Sequence, residues 1–320
     1  KLDNNNRILV PQGLKRIRSG RTHAGLEALF AIAGKDTHTA GVRDFGFAVA
    51  PRINAAGRLG TMESGIECLL SDDPSRALAF ADNLNSINAE RRELEVEMQQ
   101  AAEAALEAVD LDHRATFSLY NPDFNEGVVG LVAARLKERI HRPVIAFAPT
   151  ENHELKGSGR SIPGIPLRDM IDLVSKALPG VVIRFGGHAM AAGLSIRPES
   201  LKDFQEAFEE VVRTHCDASV FERVVLTDGG LAPDEITESL CTEIDRQIWG
   251  QGFEAPLFAN EFTVLNQTLL KDAHLKLQLG LGGQRFEGIF FRHREPLPMQ
   301  AKIAYRPAIN EYRGRRTVQL

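Results

Sequence analysis

Residues 73–111, DPSRALAFADNLNSINAERRELEVEMQQAAEAALEAVDL, decide how the rest of the chain is read. No Gly or Pro occurs between Ser75 and Asn121, and Asp73-Pro74 makes a helix start: an N-cap carboxylate, then Pro where a missing N–H does no harm. Leu78, Ala81, Leu84 and Ile87, then Leu94, Met98, Ala101 and Ala105, recur at helical spacing. The middle, Asn88 to Glu93, is polar nearly all round, as in helices that cross solvent between packed bodies. About 35 residues at ~1.5 Å each give a rod of roughly 50 Å, expected to be a strut between two lobes.

Downstream, strand-like runs (Thr116–Tyr120, Pro143–Phe147, Leu155–Ser158, Val181–Phe185, Ala192–Ile196) alternate with helical ones (Gly127–Ile140, Leu167–Leu178, Glu199–His215). That alternation predicts an α/β domain around one sheet over 112–220. From about Val224 the chain turns β-rich, with one helix from Pro233 to Ile248 and five strands: Phe262–Leu269, His274–Leu279, Phe286–Phe291, Gln300–Tyr305 and Thr317–Leu320. Five short antiparallel strands over 221–320 fit a small Greek-key β-barrel. Residues 1–72 hold short helical patterns. Those of the first 60 are too few to bury a core of their own and are expected to pack on a body outside this sequence. The chain opens without Met and stops inside a strand-like run, so a fragment is expected.

Composition is that of an ordinary soluble protein: 43% hydrophobic and 25% charged. No apolar run is long enough to span a membrane and no signal peptide opens the chain. Cys68, Cys216 and Cys241 are odd in number and far apart, which suits a reducing cytoplasm and offers no disulfide framework. The net charge of −5 speaks against a polyanion partner, but it is unevenly spread. Residues 261–320 carry ten Lys/Arg against five Asp/Glu, while 231–260 carry one Arg against six acids. A phosphate backbone responds to the local field, so the basic tail is a candidate docking face.

Three glycine-bearing clusters could carry chemistry. In Pro51-Arg-Ile-Asn-Ala-Ala-Gly-Arg58, the residues Arg52, Asn54 and Arg58 stand within seven positions, and a guanidinium fork suits phosphate oxygens. A structural ion pair would explain the same arginines. In Lys156-Gly-Ser-Gly-Arg-Ser161, flanking glycines would free backbone N–H groups to converge with Ser158 and Arg160 on one anion; a plain Gly-rich turn is the alternative. In Arg184-Phe-Gly-Gly-His-Ala189, the glycines, Gly187 among them, end an apolar strand and present His188 at its carboxyl end, where α/β sheets hold ligands. A lone structural His is the competing reading. Phosphodiester hydrolysis usually takes two metal ions held by clustered Asp and His, and no segment gathers such ligands. The nearest lookalike, Asp110 to Arg114, reads better as a helix end.

In order along the chain, Pro51 to Leu59, Gly157 to Ser161 and Phe185-Gly-Gly-His-Ala-Met-Ala-Ala-Gly193 resemble the later signature motifs of the RecJ branch of the DHH phosphoesterase family. Supporting matches are Asp3 to Leu9, Gly127-Val-Val-Gly-Leu131 and His274 to Leu277. The resemblance implies a multi-domain α/β plus β-barrel protein. Its parts would be a remnant of the DHH catalytic lobe (1–72), a long linker helix (73–111), a DHH-associated α/β domain (112–220) and an OB-fold-like domain (221–320). It further implies a 5′-to-3′ single-stranded-DNA exonuclease of DNA repair and recombination. Mn²⁺ or Mg²⁺ would sit in a metal lobe ahead of this chain, with no metal held here and the chain alone inactive.

By the same resemblance Arg52, Asn54 and Arg58 face the cleft, and Ser158, Arg160, Gly187 and His188 bind phosphates from the opposite wall, His188 being the catalytic candidate. Where relatives carry His before the Gly-Val-x-Gly helix start, this chain has Asn125-Glu126, and Asn125 is assigned no role. In the tail Lys276, Lys302, Tyr305, Arg306, Tyr312, Arg313, Arg315 and Arg316 are the candidates for a basic groove with a stacking platform. Expected partners are single-stranded DNA, a single-strand-binding protein and a helicase, in the cytoplasm and away from membranes. The alternatives are a non-catalytic single-strand-binding scaffold and a DHH phosphodiesterase acting on short oligonucleotides.

Overall fold

In the computed structural model, which describes residues 2–111, 113–312 and 314–320, the chain divides into two units: Ile17–Arg223, and Val224–Leu320 together with the residues up to Arg16. The helices preceding the sheet are α1 (Asn4–Arg18), α2 (Ala24–Ile32), α3 (Val42–Asp44), α4 (Ala50–Leu59), α5 (Glu63–Leu70) and α6 (Pro74–Glu107). Asp73 caps α6 by accepting from the backbone N–H of Ser75 at 2.8 Å, and Pro74 takes the first helical position.

α6 has two packing faces in succession. Ala77, Ala81 and Leu84 join Leu29, Phe30, Val49, Ala56 and Cys68 in one core; Met98, Ala102 and Leu106 join the sheet that follows. The early helices bury a core together with α6, while Phe47, Ile66 and Leu70 of the same region stay exposed. Leu78, expected on the apolar stripe, is 47% exposed.

One face of the polar waist is buried. Asn88 and Glu95 are buried, Arg91 donates to both, and Arg135 from the next helix donates to Glu95. Arg91, Asn88, Glu95 and Arg135 thus satisfy one another inside the protein, while Glu90, Arg92 and Glu93 of the same stretch are exposed.

The sheet of this unit comprises β1 (Phe117–Tyr120), β2 (Val144–Pro149), β3 (Leu155–Arg160), β4 (Val182–Gly187) and β5 (Ala191–Ile196), in the order β1-β2-β3-β5-β4. Only β1 and β2 run parallel; the other neighbours are antiparallel. α7 (Val129–Ile140) packs with α6 on one face, burying Val132, Leu136, Val144 and Ala146. α8 (Leu167–Ala177) and α9 (Leu201–His215) cover the other through Phe147, Phe204 and Phe208. Glu209 of α9 ties down the start of β1, accepting from Ala115 and Thr116 N–H and the Thr116 hydroxyl at 2.7–2.9 Å. Burial alone would raise its pKa; those bonds and Arg213 outweigh it and hold the carboxyl below its ordinary value.

The second unit contains α10 (Glu238–Arg246) and strands β6 (Phe258–Leu270), β7 (His274–Leu281), β8 (Gln284–Phe290), β9 (Gln300–Tyr305), β10 (Ala308–Tyr312) and β11 (Arg315–Gln319). Their order is β10-β11-β8-β7-β6-β9, with Phe262, Leu275, Leu277, Leu279 and Phe286 in the core. Gly282 and Gly283, both at positive φ, turn β7 into β8. The strand Ala308–Tyr312 escaped the sequence reading. Six strands stand where the sequence pattern gave five, and among the described residues no pairing joins β10 to β9. At its N-terminal end Leu2 donates to Gln251 O, and Arg7 lies 3.6 Å over the Phe253 ring.

Candidate nucleic-acid interface

Alternation along β3 decides which groups are available. Lys156, Ser158 and Arg160 are partly accessible, while Gly157 and Gly159 face the opposite, buried layer. A Cβ on Gly157 would stand 2.6 Å from the Phe147 ring, and one on Gly159 2.6 Å from Leu167 Cδ2. These glycines therefore serve packing. β3 is also paired on both sides, with β2 and β5, so its N–H groups belong to the sheet. The expectation that its backbone converges on an anion is corrected: Ser158 and Arg160 can offer only side chains.

Those side chains meet the first turn of α7. A Cβ on Gly130 would lie 2.8 Å from both Arg160 Nη2 and Ser158 Oγ, so the glycine makes room for them. Arg160 Nη1 donates to Gly159 O at 2.7 Å and to Ser158 Oγ at 3.2 Å. Asn125 shapes the turn into α7, its Oδ1 accepting from Gly127 N at 2.8 Å and its carbonyl from Val128 and Val129 N–H.

The Pro51–Arg58 cluster lies within helix α4. Its end packs directly on that turn: a Cβ on Gly127 would fall 2.0 Å from Arg58 O, and Arg58 Nη1 donates to Gly127 O at 2.9 Å. Arg52 is buried, donating to Ala48 O and Asn85 Oδ1, which spends its fork on the fold; Asn54 is exposed.

The electrostatics join these pieces. Burial, then the neighbouring Arg58 guanidinium, hold Arg160 below the ordinary arginine range. Burial likewise lowers Arg52, with Arg92 adding to it. Arg91 is lowered by burial and by Arg92 and Arg58, against the pull of Glu95. A guanidinium does not give up its proton, so this crowding is a cost that a bound anion would relieve. Arg91 and Arg92 were missed because a polar waist reads as solvated surface; the one available signal was two adjacent arginines mid-helix.

His188 sits exposed in the β4–β5 hairpin turn, its N–H donating to Ala191 O at 2.8 Å, and Ala191 pairs with Arg160. This places it about 10 Å from β3, two strand spacings away. Because β4 is an antiparallel edge strand, its carboxyl end is not the ligand-holding rim of a parallel sheet, and the resemblance alone supports His188. Gly187 has φ +146°, and a Cβ there would come within 2.5 Å of Ala191 O, so the turn itself requires glycine. Beside this corner runs a groove of about 770 Å³ with Lys156 and Arg184 on its walls and Gly186 and Gly193 in its lining. Lys156 is paired with Glu126 and Arg184 with Glu154.

In the other unit, Lys276 pairs with Glu287 at 3.5 Å, Lys302 stands opposite Glu261, and Arg306 and Arg315 are exposed. Tyr305 is corrected as a stacking platform. It is 4% exposed, donates to Asn260 Oδ1 at 2.7 Å and packs edge-on against Phe262. Burial, assisted by Glu235 and opposed by a hydrogen bond at Leu231, pushes its phenol up to about 12. Arg316 reaches Glu238 at 4.0 Å. Arg313 and Asp112 lie outside the described residues, as does the side chain of Tyr312.

Residues 114–214 match the DHHA1 domain family and residues 227–320 the RecJ OB domain family. The single-stranded-DNA-specific exonuclease RecJ of Escherichia coli is 41% identical over 330 residues, covering all of this chain and 57% of that protein. The crystal structure of RecJ with Mg²⁺ from Thermus thermophilus superposes with a TM-score of 0.83 at 27% identity, over 99% of this chain and 48% of that one. Its Mn²⁺ counterpart gives 0.81 at 27% identity, over 98% and 46%. This chain thus spans little more than half the length of the curated relative. Among its described residues no three His, Cys, Asp or Glu gather to hold a metal ion, so they do not fit the ions of those structures and no metal step is assigned to them. No helix among the described residues is long and apolar enough to cross a membrane. With both domain matches in sequence order and 41% identity across its whole length, the chain belongs to the RecJ family, to whose C-terminal portion it corresponds.

Proposed function

We propose that this chain grips single-stranded DNA for a 5′-to-3′ exonuclease of DNA repair and recombination. The observation that carries the reading is the corner where Arg58, Arg160 and Ser158 meet the first turn of α7. Burial and then the Arg58 guanidinium lower Arg160 there, and Gly130 makes room for the Arg160 and Ser158 side chains. A phosphate would relieve the repulsion and accept from Arg160 and Ser158 at once. Arg58 and Arg160 are the primary ligands; Arg92 adds to the field, and Arg52 holds α4 in place. Asn54, Gly187 and His188 border the path of the strand, and the groove lined by Gly186 and Gly193 continues it.

Hydrolysis belongs to a metal-dependent part of the whole protein, with Mn²⁺ or Mg²⁺, and the chain by itself binds without cutting. A single-strand-binding protein and a helicase are proposed partners, and the cytoplasm the setting.

The test is fluorescence anisotropy of the full chain with a 5′-phosphorylated single strand and with the matching duplex. Arg160→Ala and Arg58→Ala should each weaken single-strand binding about 10- to 100-fold, the loss of one charge-assisted contact. Each should also flatten the salt dependence by nearly one counterion. Parental affinity in both variants would overturn the proposal.

A further inference from the structure

Residues 290–294, Phe-Phe-Arg-His-Arg, close β8 in a way the core does not require. Phe290 is 46% and Phe291 66% exposed. Two large aromatics left in water at one end of a small sheet call for an occupant. Phe290 stacks on His293 with ring centroids 4.2 Å apart and planes 13° from parallel. His274, the first residue of β7, meets Phe291 edge-on at 5.4 Å and accepts from the Arg292 N–H through Nδ1 at 2.9 Å. Arg292 is held at φ +57°, a left-handed conformation that costs a non-glycine residue energy and persists where surroundings enforce it. The turn is thus built to hold exposed rings beside exposed cations.

We propose that Phe290, Phe291 and His293 form a platform on which unpaired nucleobases stack, with Arg292 and Arg294 meeting the phosphates between them. Ring faces accept any base, and arginines alternating with aromatics match the alternation of base and phosphate along a strand. The net positive tail supplies the field that brings a polyanion there. A duplex hides its base faces and is excluded. The platform replaces Tyr305, whose ring is buried. It rests on the single-strand reading above but lies in the other unit, so the two can fail separately.

The full chain is titrated with oligothymidylates and with a strand carrying 2-aminopurine. Phe291→Ala, at the more exposed ring, should weaken binding of a long strand about 5- to 100-fold, the range for one lost stacked base. Its salt slope should stay unchanged, and 2-aminopurine quenching should be lost. Phe291→Trp should bind at least as tightly as the parent. His293→Ala should lower affinity in the same manner, and Arg292→Ala should flatten the salt slope instead. Parental affinity and quenching in Phe291→Ala and His293→Ala, while Arg160→Ala still loses binding, would refute the platform and leave the functional reading standing. Failure of Arg160→Ala as well would remove both.

Discussion

Replacing Glu95 by Gln tests whether the middle of α6 is a solvated waist or an internal clamp. Glu95 accepts from Arg91 of its own helix and from Arg135 of α7; the Arg91 and Glu95 side chains are 11% and 8% exposed and Arg135 36%. Removing one partner of a buried pair costs about 3–5 kcal/mol, because the other charge stays behind. The Arg135 share is discounted, since that side chain reaches solvent, and Gln keeps a neutral acceptor for one N–H. About 2–4 kcal/mol remains, a fall in Tm of roughly 5–15 °C for a body of this size. Urea unfolding followed by far-UV circular dichroism reads it. Trp249, the single tryptophan, lies in the other unit and serves as an internal reference. A cycle with Arg135→Gln should return a coupling of at least about 1 kcal/mol. A loss under about 0.5 kcal/mol without coupling would show the charges to be solvated after all.

Two further outcomes are expected. Gly130→Ala should stabilise α7 by up to about 1 kcal/mol through helix propensity, yet weaken single-strand binding. Its Cβ must displace the Arg160 and Ser158 side-chain ends that lie 2.8 Å away, so equal loss of stability and affinity, or no loss of affinity, would count against the corner. For Tyr305, the unfolded phenol ionises near its ordinary value of about 10 and the folded one at about 12. Stability from the neutral phenol is complete below pH 10 and is lost as pH rises toward 12, by about 2–3 kcal/mol in all. Tyr305→Phe should lose about 1 kcal/mol at neutral pH and show no such decline, measured by denaturant unfolding at Trp249.

Much of the architecture was legible from local rules. The Asp73-Pro74 start, the run without Gly or Pro, the strand–helix alternation and the β-rich tail are statements about neighbours in sequence, which propensity and periodicity read well. The boundaries of α7, α8 and α9 come within two residues of the pattern reading. Ala308–Tyr312 was missed because Pro307 and a short span mask its period, and the strand order because it is a property of pairing partners far apart in the chain.

The sequence by itself determined which chemical groups are present and in what order: glycine-flanked Ser158 and Arg160, the arginines of 52–58, a long helix and a basic tail. Only the tertiary structure decided what each is free to do. Packing turned Gly157 and Gly159 toward Phe147 and Leu167, buried Tyr305 and committed Arg52 to Asn85. It also brought Arg58 and Arg160, distant in sequence, close enough to repel one another. Burial and like-charge proximity depend on distances through space, and no local pattern encodes them.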